Sequence, residues 1–536
     1  MDNDSPASEL SRRDLLRMIG ATAGGTAMYQ AMSALGFAAD SPYRGPVDLQ
    51  GAPAGASVLI LGAGIAGMTA ALELRNAGYR VQVLEYNGRA GGRNWSLRGG
   101  DRYTELGGAV QECRFDKDLY INPGPWRIPY HHRGMLNYCK RLGVPLEAFV
   151  QVNYNAYLHS SSAFGGKPQR YREIKADYQG HVAELLAKAA RQDALDAGVN
   201  QEDREKLLES LREWGALDKT FSYASSYRVS ERRGFRKQPG GGLTARPIPS
   251  EPLGLSDILG SKLWQGIAAG DEFDMQTALF QPVGGMGRVG EAFGRELGPV
   301  IRYNAKVIDI RQDPQGVTAT YEDTQSPGVR LTARADWCLC TIPLSILSQI
   351  PMNVGPAMSA AISAVPYASA VKVGLQFKRR FWEEDEHIYG GITYTDLPIT
   401  NIGYPNTGYH GGGKGVLLGA YIWGMNAMEF TAMAPPERVK MAVEYGARIH
   451  PQYPQEFENG VAVAWHRSPF TMGCFGQWST DSRARHYENL CAIDQRIALA
   501  GEHASFIGGW QEGAVTSALD AVERLHQRAV AQGAKA

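Results

Sequence analysis

The stretch from Val58 to Arg93, VLILGAGIAGMTAALELRNAGYRVQVLEYNGRAGGR, constrains this chain more than any other. Val58 to Leu61 form a short apolar run, suited to a strand buried on both faces of a parallel sheet. Gly62, Gly64 and Gly67 follow as GxGxxG. The first allows a tight turn, the second lets the backbone approach a pyrophosphate, and the third lets the next helix pack closely on its strand. Apolar residues recur at helical spacing from Ile65 to Asn76, and Gly78 marks the helix stop. Arg80 to Leu84 return as a second strand ending at Glu85, whose carboxylate suits an adenosine ribose. The first helical turn, with Ile65 and Ala66, presents its N–H groups to the diphosphate. A lone glycine motif also serves structural crossovers. Here strand, helix, second strand and terminal acid occur together at the required spacing, and the expectation is a bound dinucleotide.

The continuation Gly88 to Arg93 separates one dinucleotide class from another. Gly91 and Gly92 give further close backbone approach and Arg93 gives a cation for phosphate, an element that NAD-binding folds do not require. At 536 residues the chain is long enough for two or three domains. Its 55 basic residues balance 55 acidic ones, so charge offers no reason to expect nucleic acid as a partner. Six cysteines are too few for a disulfide scaffold in a chain of this size. Cys338 and Cys340, in WCLCTIP, belong on one face of a buried strand rather than to a metal site.

Read in order, residues 1–39 form a targeting segment, in which Ser11-Arg12-Arg13-Asp14-Leu15-Leu16 matches the twin-arginine signal pattern. Periplasmic or secreted location follows from it as an expectation, with the export machinery as a transient partner. Residues 40–56 are a Pro/Gly-rich linker, and 57–112 hold the first part of the nucleotide-binding domain. A substrate domain begins at 113–168, with a rigid proline loop and a helix from His131 to Arg141. The adjacent His131 and His132 would point about 100° apart on that helix, which makes them poor joint metal ligands. Residues 169–270 are a charged, helical insertion, helical from Tyr178 to Trp214 with a break near Gly198. The nucleotide-binding domain resumes over 271–345, the substrate domain over 346–490, and 491–536 complete the former with a C-terminal helix beginning near Gly513.

Beyond Arg93, a series of motifs resembles the flavin amine oxidase superfamily in the right order. They are QPVGGMGR at 281–288, Val307 in NAKVIDI, Trp465 with Pro469, Phe470 and Gly473, Gly501-Glu502-His503, and Gly509-Trp510-Gln511-Glu512-Gly513-Ala514. The resemblance implies an α/β fold, with an FAD-binding Rossmann-like domain of discontinuous segments, a mixed-sheet substrate domain and the helical insertion. It also implies non-covalent FAD, held by Gly62, Gly64, Ile65, Ala66, Gly67, Glu85, Gly91, Gly92, Arg93, Trp126, Arg127, Val307, Trp465, Gly501, Glu502, Gly509, Trp510 and Ala514. No cysteine stands beside Gly508 and Gly509 for covalent attachment.

Within the superfamily the chain resembles the L-amino acid oxidases. Gly124-Pro125-Trp126-Arg127-Ile128-Pro129 is similar to their GPMRLP segment, which implies that Arg127 binds a substrate α-carboxylate. Tyr421 matches a tyrosine that meets the same carboxylate, and Lys372, between Val371 and Val373, matches a lysine that holds a water near the flavin. Gly509 and Trp510 complete the implied reaction site, and Trp465 with Trp510 would wall the amine and the flavin ring. The helical insertion matches by no motif, so no histidine is assigned there. The implied reaction is oxidative deamination of an L-amino acid by hydride transfer to FAD, with oxygen as final acceptor, in a homo-oligomer expected to be a dimer. An amine oxidase acting without a carboxylate, an NAD-linked dehydrogenase and a structural FAD-binding protein are the rivals. Arg127 discriminates against the first, and the later glycine turns against the second.

Overall fold

The computed structural model describes residues 41–192 and 200–533. The twin-arginine segment and the break near Gly198 lie outside the described residues. The fold is mixed α/β. A parallel five-stranded sheet runs in the order Ile301–Arg302, Arg80–Leu84, Ser57–Leu61, Trp337–Cys340, Ile497–Leu499. Ser57–Leu61 is thus an inner strand, and residues 58–61 are wholly buried, as their unbroken apolar run requires. Its two faces feed different cores. Val58 and Ile60 pack with the helices Ile65–Asn76 and Gln511–Gly533, while Leu59 and Leu61 pack with Cys338 and Cys340. The two cysteines therefore share one face, as their spacing demands.

Gly67 shows why the third motif glycine is obligatory: a Cβ there would stand 2.0 Å from the Gly62 carbonyl oxygen. The helix then ends at Asn76, and Gly78 takes φ +95° at the turn into the second strand.

A mixed seven-stranded sheet follows the order Gln169–Arg170, Tyr157–His159, Ile392–Thr395, Asn401–Gly403, Gly415–Trp423, Ala370–Phe377, Phe457–Ala464. Its central pair, Ala370–Phe377 with Gly415–Trp423, is antiparallel and sets Lys372 directly opposite Tyr421. Opposed residues of such a pair share a face. Val371, Val373, Ala420 and Ile422 fill the core on the other side. A small antiparallel sheet joins Ile128–Pro129, Leu279–Pro282 and Leu146–Phe149, tying the loop that carries Arg127 to chain 150 residues away.

The helical segments correct the expected boundaries. Helices run Tyr171–Arg191 and Gln201–Trp214, so the first starts a full two turns before Tyr178. The last helix, Gln511–Gly533, begins two residues before Gly513. Helix Arg133–Arg141 excludes both histidines, because the Glu512 carboxylate takes the N–H groups of Gly134 and Met135 at 2.9 and 2.7 Å and starts the helix there. Burial raises the pKa of that carboxyl, and Ser41 also donates to it. No helix among the described residues is long and apolar enough to cross a membrane.

Candidate active site

Four separated pieces of chain meet beneath the first glycine motif. Gly124 presses on Arg93 so closely that a Cβ would lie 1.9 Å from the Arg93 carbonyl oxygen. Trp465, on the turn after strand Phe457–Ala464, donates its indole N–H to Pro123 O at 2.8 Å. Arg93 donates to Cys474 O at 2.6 Å and to Glu502 Oε1 at 2.8 Å. Glu502 in turn accepts from the N–H groups of Gly476 at 3.1 Å and Gly509 at 3.3 Å. The GGR element, the aromatic turn, the Gly-Glu element and the final turn therefore converge, as their assignment to a single ligand demands.

The residues of this seam fit a flavin dinucleotide. Glu85 Oε1 accepts from Asn87 N at 2.8 Å and Asn87 Nδ2 at 2.6 Å, while Oε2 accepts from Ala63 N alone at 2.6 Å and keeps a lone pair for a ribose hydroxyl. Val307, buried at a register shift in strand Ala305–Asp313, stands close by, since Ala305 N donates to Glu85 O at 2.8 Å. Partly buried Arg89 stacks on Trp95 at 4.2 Å and donates to Gly92 O at 2.9 Å. Loss of solvent lowers its pKa to about 10, and no ion pair to it is formed among the described residues. A bound diphosphate would supply a counter-charge to it. Asn94 Nδ2 and Oδ1, His503 Nε2 and Gln511 Nε2 are buried without hydrogen-bond partners. Each such atom costs about 1–3 kcal/mol unless a ligand satisfies it. A Cβ on Gly64 would meet nothing within 4 Å, which leaves the second motif glycine open to close approach.

Beside this seam lies a pocket lined by Trp126, Arg127, Met275, Tyr394, Tyr421 and Trp423, with Gln151, Ala269, Glu272, Ile392 and Asn401 completing it. Arg127 is 4% exposed, with Met275 Sδ 2.8 Å from a guanidinium nitrogen. The ring of Trp126 meets that of Tyr421 edge-on at 5.8 Å. Lys372 is 2% exposed and holds its ammonium 4.1 Å from the Tyr421 ring centre. It donates to Gly124 O at 2.5 Å and Asn122 O at 3.3 Å. Burial lowers its pKa to about 7; Cys474 opposes the shift and the Arg127 charge adds to it.

Two expectations need revision here. The rings lining the pocket are Trp126, Tyr394, Tyr421 and Trp423, whereas Trp465, its N–H on Pro123 O, and Trp510, its ring centre 5.6 Å from the Arg127 guanidinium carbon, are not part of that lining. His131 and His132, expected on the helix, lie outside it. They precede the helix and converge with Asp274, the three offering ligand atoms within 4.8 Å of one another. His131 Nε2 lies 2.9 Å from Asp274 Oδ1, a hydrogen bond, and His132 Nε2 lies 3.9 Å from the same oxygen. Burial and the neighbouring His131 push the His132 pKa well below the usual imidazole value. Sequence reasoning missed Gln151, Glu272, Met275, Tyr394 and Asn401. Glu272 and Met275 lie just beyond the helical insertion, where no motif marks them.

Comparison with known proteins agrees with this geometry. Residues 65–526 match the family described as flavin containing amine oxidoreductase. The chain is 27% identical over 476 residues to "Putative L-amino-acid oxidase YobN" of Bacillus subtilis (strain 168), covering 86% of this chain and 93% of that one. It is 28% identical over 483 residues to an L-amino acid oxidase of Bothrops pictus, covering 88% and 90% of the two chains. Among solved structures it resembles cyclohexylamine oxidase from Brevibacterium oxydans IH-35A, with TM-score 0.57, 16% identity and coverage of 88% and 99%. The chain therefore belongs to the flavin-containing amine oxidoreductase family and uses FAD as its cofactor.

Proposed function

We propose that the protein oxidises L-α-amino acids to 2-oxo acids, releasing ammonia and hydrogen peroxide. The observation that carries this reading is Arg127, a guanidinium buried in the wall of the pocket beside Tyr421 and Trp126. A planar guanidinium fork matches a carboxylate with two parallel hydrogen bonds, and an enzyme for simple amines has no use for one. The Tyr421 hydroxyl is a second donor to the same group. The names of the amino acid oxidases among the relatives support the same direction.

Bound FAD supplies the two-electron acceptor, which oxygen then restores with formation of peroxide. The residues of the chain do the rest. Arg127 and Tyr421 fix one end of the substrate and so hold its Cα in one orientation. The rings of Trp126 and Trp423 withhold water from the substrate ammonium and favour its neutral form. Lys372, with its pKa near 7, is able to take up and release a proton beside the Gly124 carbonyl at neutral pH. Loss of two electrons and two protons gives an imino acid, and addition of water to it gives the 2-oxo acid and ammonia.

The test is direct. The flavin-loaded protein should bleach with an L-amino acid without oxygen and make peroxide in air. Equal turnover of the corresponding decarboxylated amine would replace this reading with an amine oxidase. Export by the twin-arginine route is proposed on Arg12 and Arg13. Replacing both with lysine should hold the precursor in the cytoplasm. A dimeric assembly is proposed alongside it, to be read by light scattering.

A further inference from the structure

We infer that His131, His132 and Asp274 bind one divalent transition-metal ion, with zinc the best match. The ion clamps the chain that follows Arg127 to the segment that carries Met275. Adjacent histidines on a helix diverge by about 100° and are poorly placed to share an ion. These two escape that rule because the helix starts after them. His132 holds φ −76° and ψ 66°, outside the helical region. The two imidazole rings stand nearly perpendicular, 83° between planes and 4.7 Å between centres. Asp274 meets them from 143 residues beyond His131.

The spacing fits such an ion. The three ligand atoms lie within 4.8 Å of one another. A tetrahedral zinc ion, with bonds of about 2.0–2.1 Å, separates its ligand atoms by about 3.3–3.4 Å. Asp274 Oδ1 lies 2.9 Å from His131 Nε2 and 3.9 Å from His132 Nε2, on either side of that value. Two imidazole nitrogens and one carboxylate oxygen suit zinc and its transition-metal neighbours. Magnesium and calcium take oxygen ligands instead. Three protein ligands leave the fourth position of the ion to water.

A second observation is independent of the spacing. His132 is 1% exposed, yet its Nε2 has no hydrogen-bond partner among the described residues. A triad built only for hydrogen bonding would use that nitrogen, since leaving it buried and unpaired costs about 1–3 kcal/mol. A metal ion satisfies it. The proton that His131 Nε2 now gives to Asp274 moves to Nδ1 on coordination, so the imidazole stays neutral. Asp274 brings one negative charge to the ion. The Glu512 carboxylate, which takes the N–H groups of Gly134 and Met135 just beyond His132, brings a second into the vicinity. Solvent is one ring away, because Tyr130, 41% exposed, meets His131 edge-on at 5.1 Å between ring centres.

The test uses the flavin-loaded full chain, treated with a chelator, dialysed and titrated calorimetrically with Zn2+. One equivalent should bind per chain and raise Tm, because an ion held only by the folded state stabilises it. Mg2+ should do neither. His132→Gln should keep fold and flavin, weaken Zn2+ binding by at least about tenfold and abolish the rise in Tm. His410→Gln, at an exposed histidine, should change none of these. Co2+ should add the visible absorption of a tetrahedral cobalt site to the unaltered protein, which decides the matter if the His132 variant fails to fold. Absence of stoichiometric Zn2+ would overturn the assignment, as would binding and a Tm rise that survive His132→Gln, the mark of surface ions only. Neither result bears on Arg127, since the ion takes no part in the choice between amino acid and amine.

Discussion

His131 Nε2 lies 2.9 Å from Asp274 Oδ1, with both side chains 3% exposed or less. The bond fastens the chain that follows Arg127 to the segment that carries Glu272 and Met275. Asp274→Ala would leave a buried imidazole without its partner. It should lower stability by about 1–3 kcal/mol, read as a fall in Tm, and should reduce kcat/KM while flavin content holds. Asp274→Asn keeps the shape and an acceptor, and should lose less of both.

Arg127→Met should keep fold and flavin but lose about 2 kcal/mol of transition-state binding toward amino acids, roughly a thirtyfold fall in kcat/KM. Arg127→Lys should recover only part of it, because an ammonium lacks the planar fork. Steady-state kinetics on matched amino acid and amine pairs reads both, and an equal loss on both members of a pair would assign Arg127 a structural role.

Lys372 should impose a pH dependence of its own. Its folded pKa, about 7, lies below the ordinary 10.5, chiefly through burial. Below pH 7 the ammonium is charged in both states, and burial penalises the folded one in full. Between the two values the unfolded chain holds a proton that the folded chain has released, so stability rises with pH across that window. Lys372→Met should therefore raise Tm most below pH 7, with the gain fading toward pH 10. The same substitution should remove a rising limb of kcat near pH 7.

The glycines of the first motif should separate in their effects. Gly67→Ala drives a Cβ to 2.0 Å from a backbone oxygen and should destabilise the apoprotein by about 1–3 kcal/mol. Gly64 has φ −76° and ψ 177°, open to any residue, and its Cβ position is empty. Gly64→Ala should leave apoprotein stability within about 0.5 kcal/mol and lower FAD content. Melting curves and flavin absorbance distinguish the two. Acid precipitation of the unaltered enzyme should release the flavin, as no covalent link is expected.

The sequence by itself determined the nucleotide-binding unit from Val58 to Arg93 and the order of the later cofactor turns. Its demands there are local: a buried strand needs an apolar run, and a close backbone approach needs glycine wherever a Cβ would collide, as at Gly67 and Gly124. Arg127, Tyr421 and Lys372 were legible only through the resemblance of their surroundings. The tertiary structure decided everything that depends on pairing across hundreds of residues. Strand register set Lys372 opposite Tyr421, and burial, which no single residue reports, moved the lysine pKa toward 7. Folding brought Glu272 and Met275, just beyond the insertion, to the pocket from a stretch without a motif. A carboxylate closed the helix after His132 and turned two residues expected on a helix toward Asp274. Such contacts leave no period in the sequence, because each is one side chain meeting another whose position only the complete packing defines.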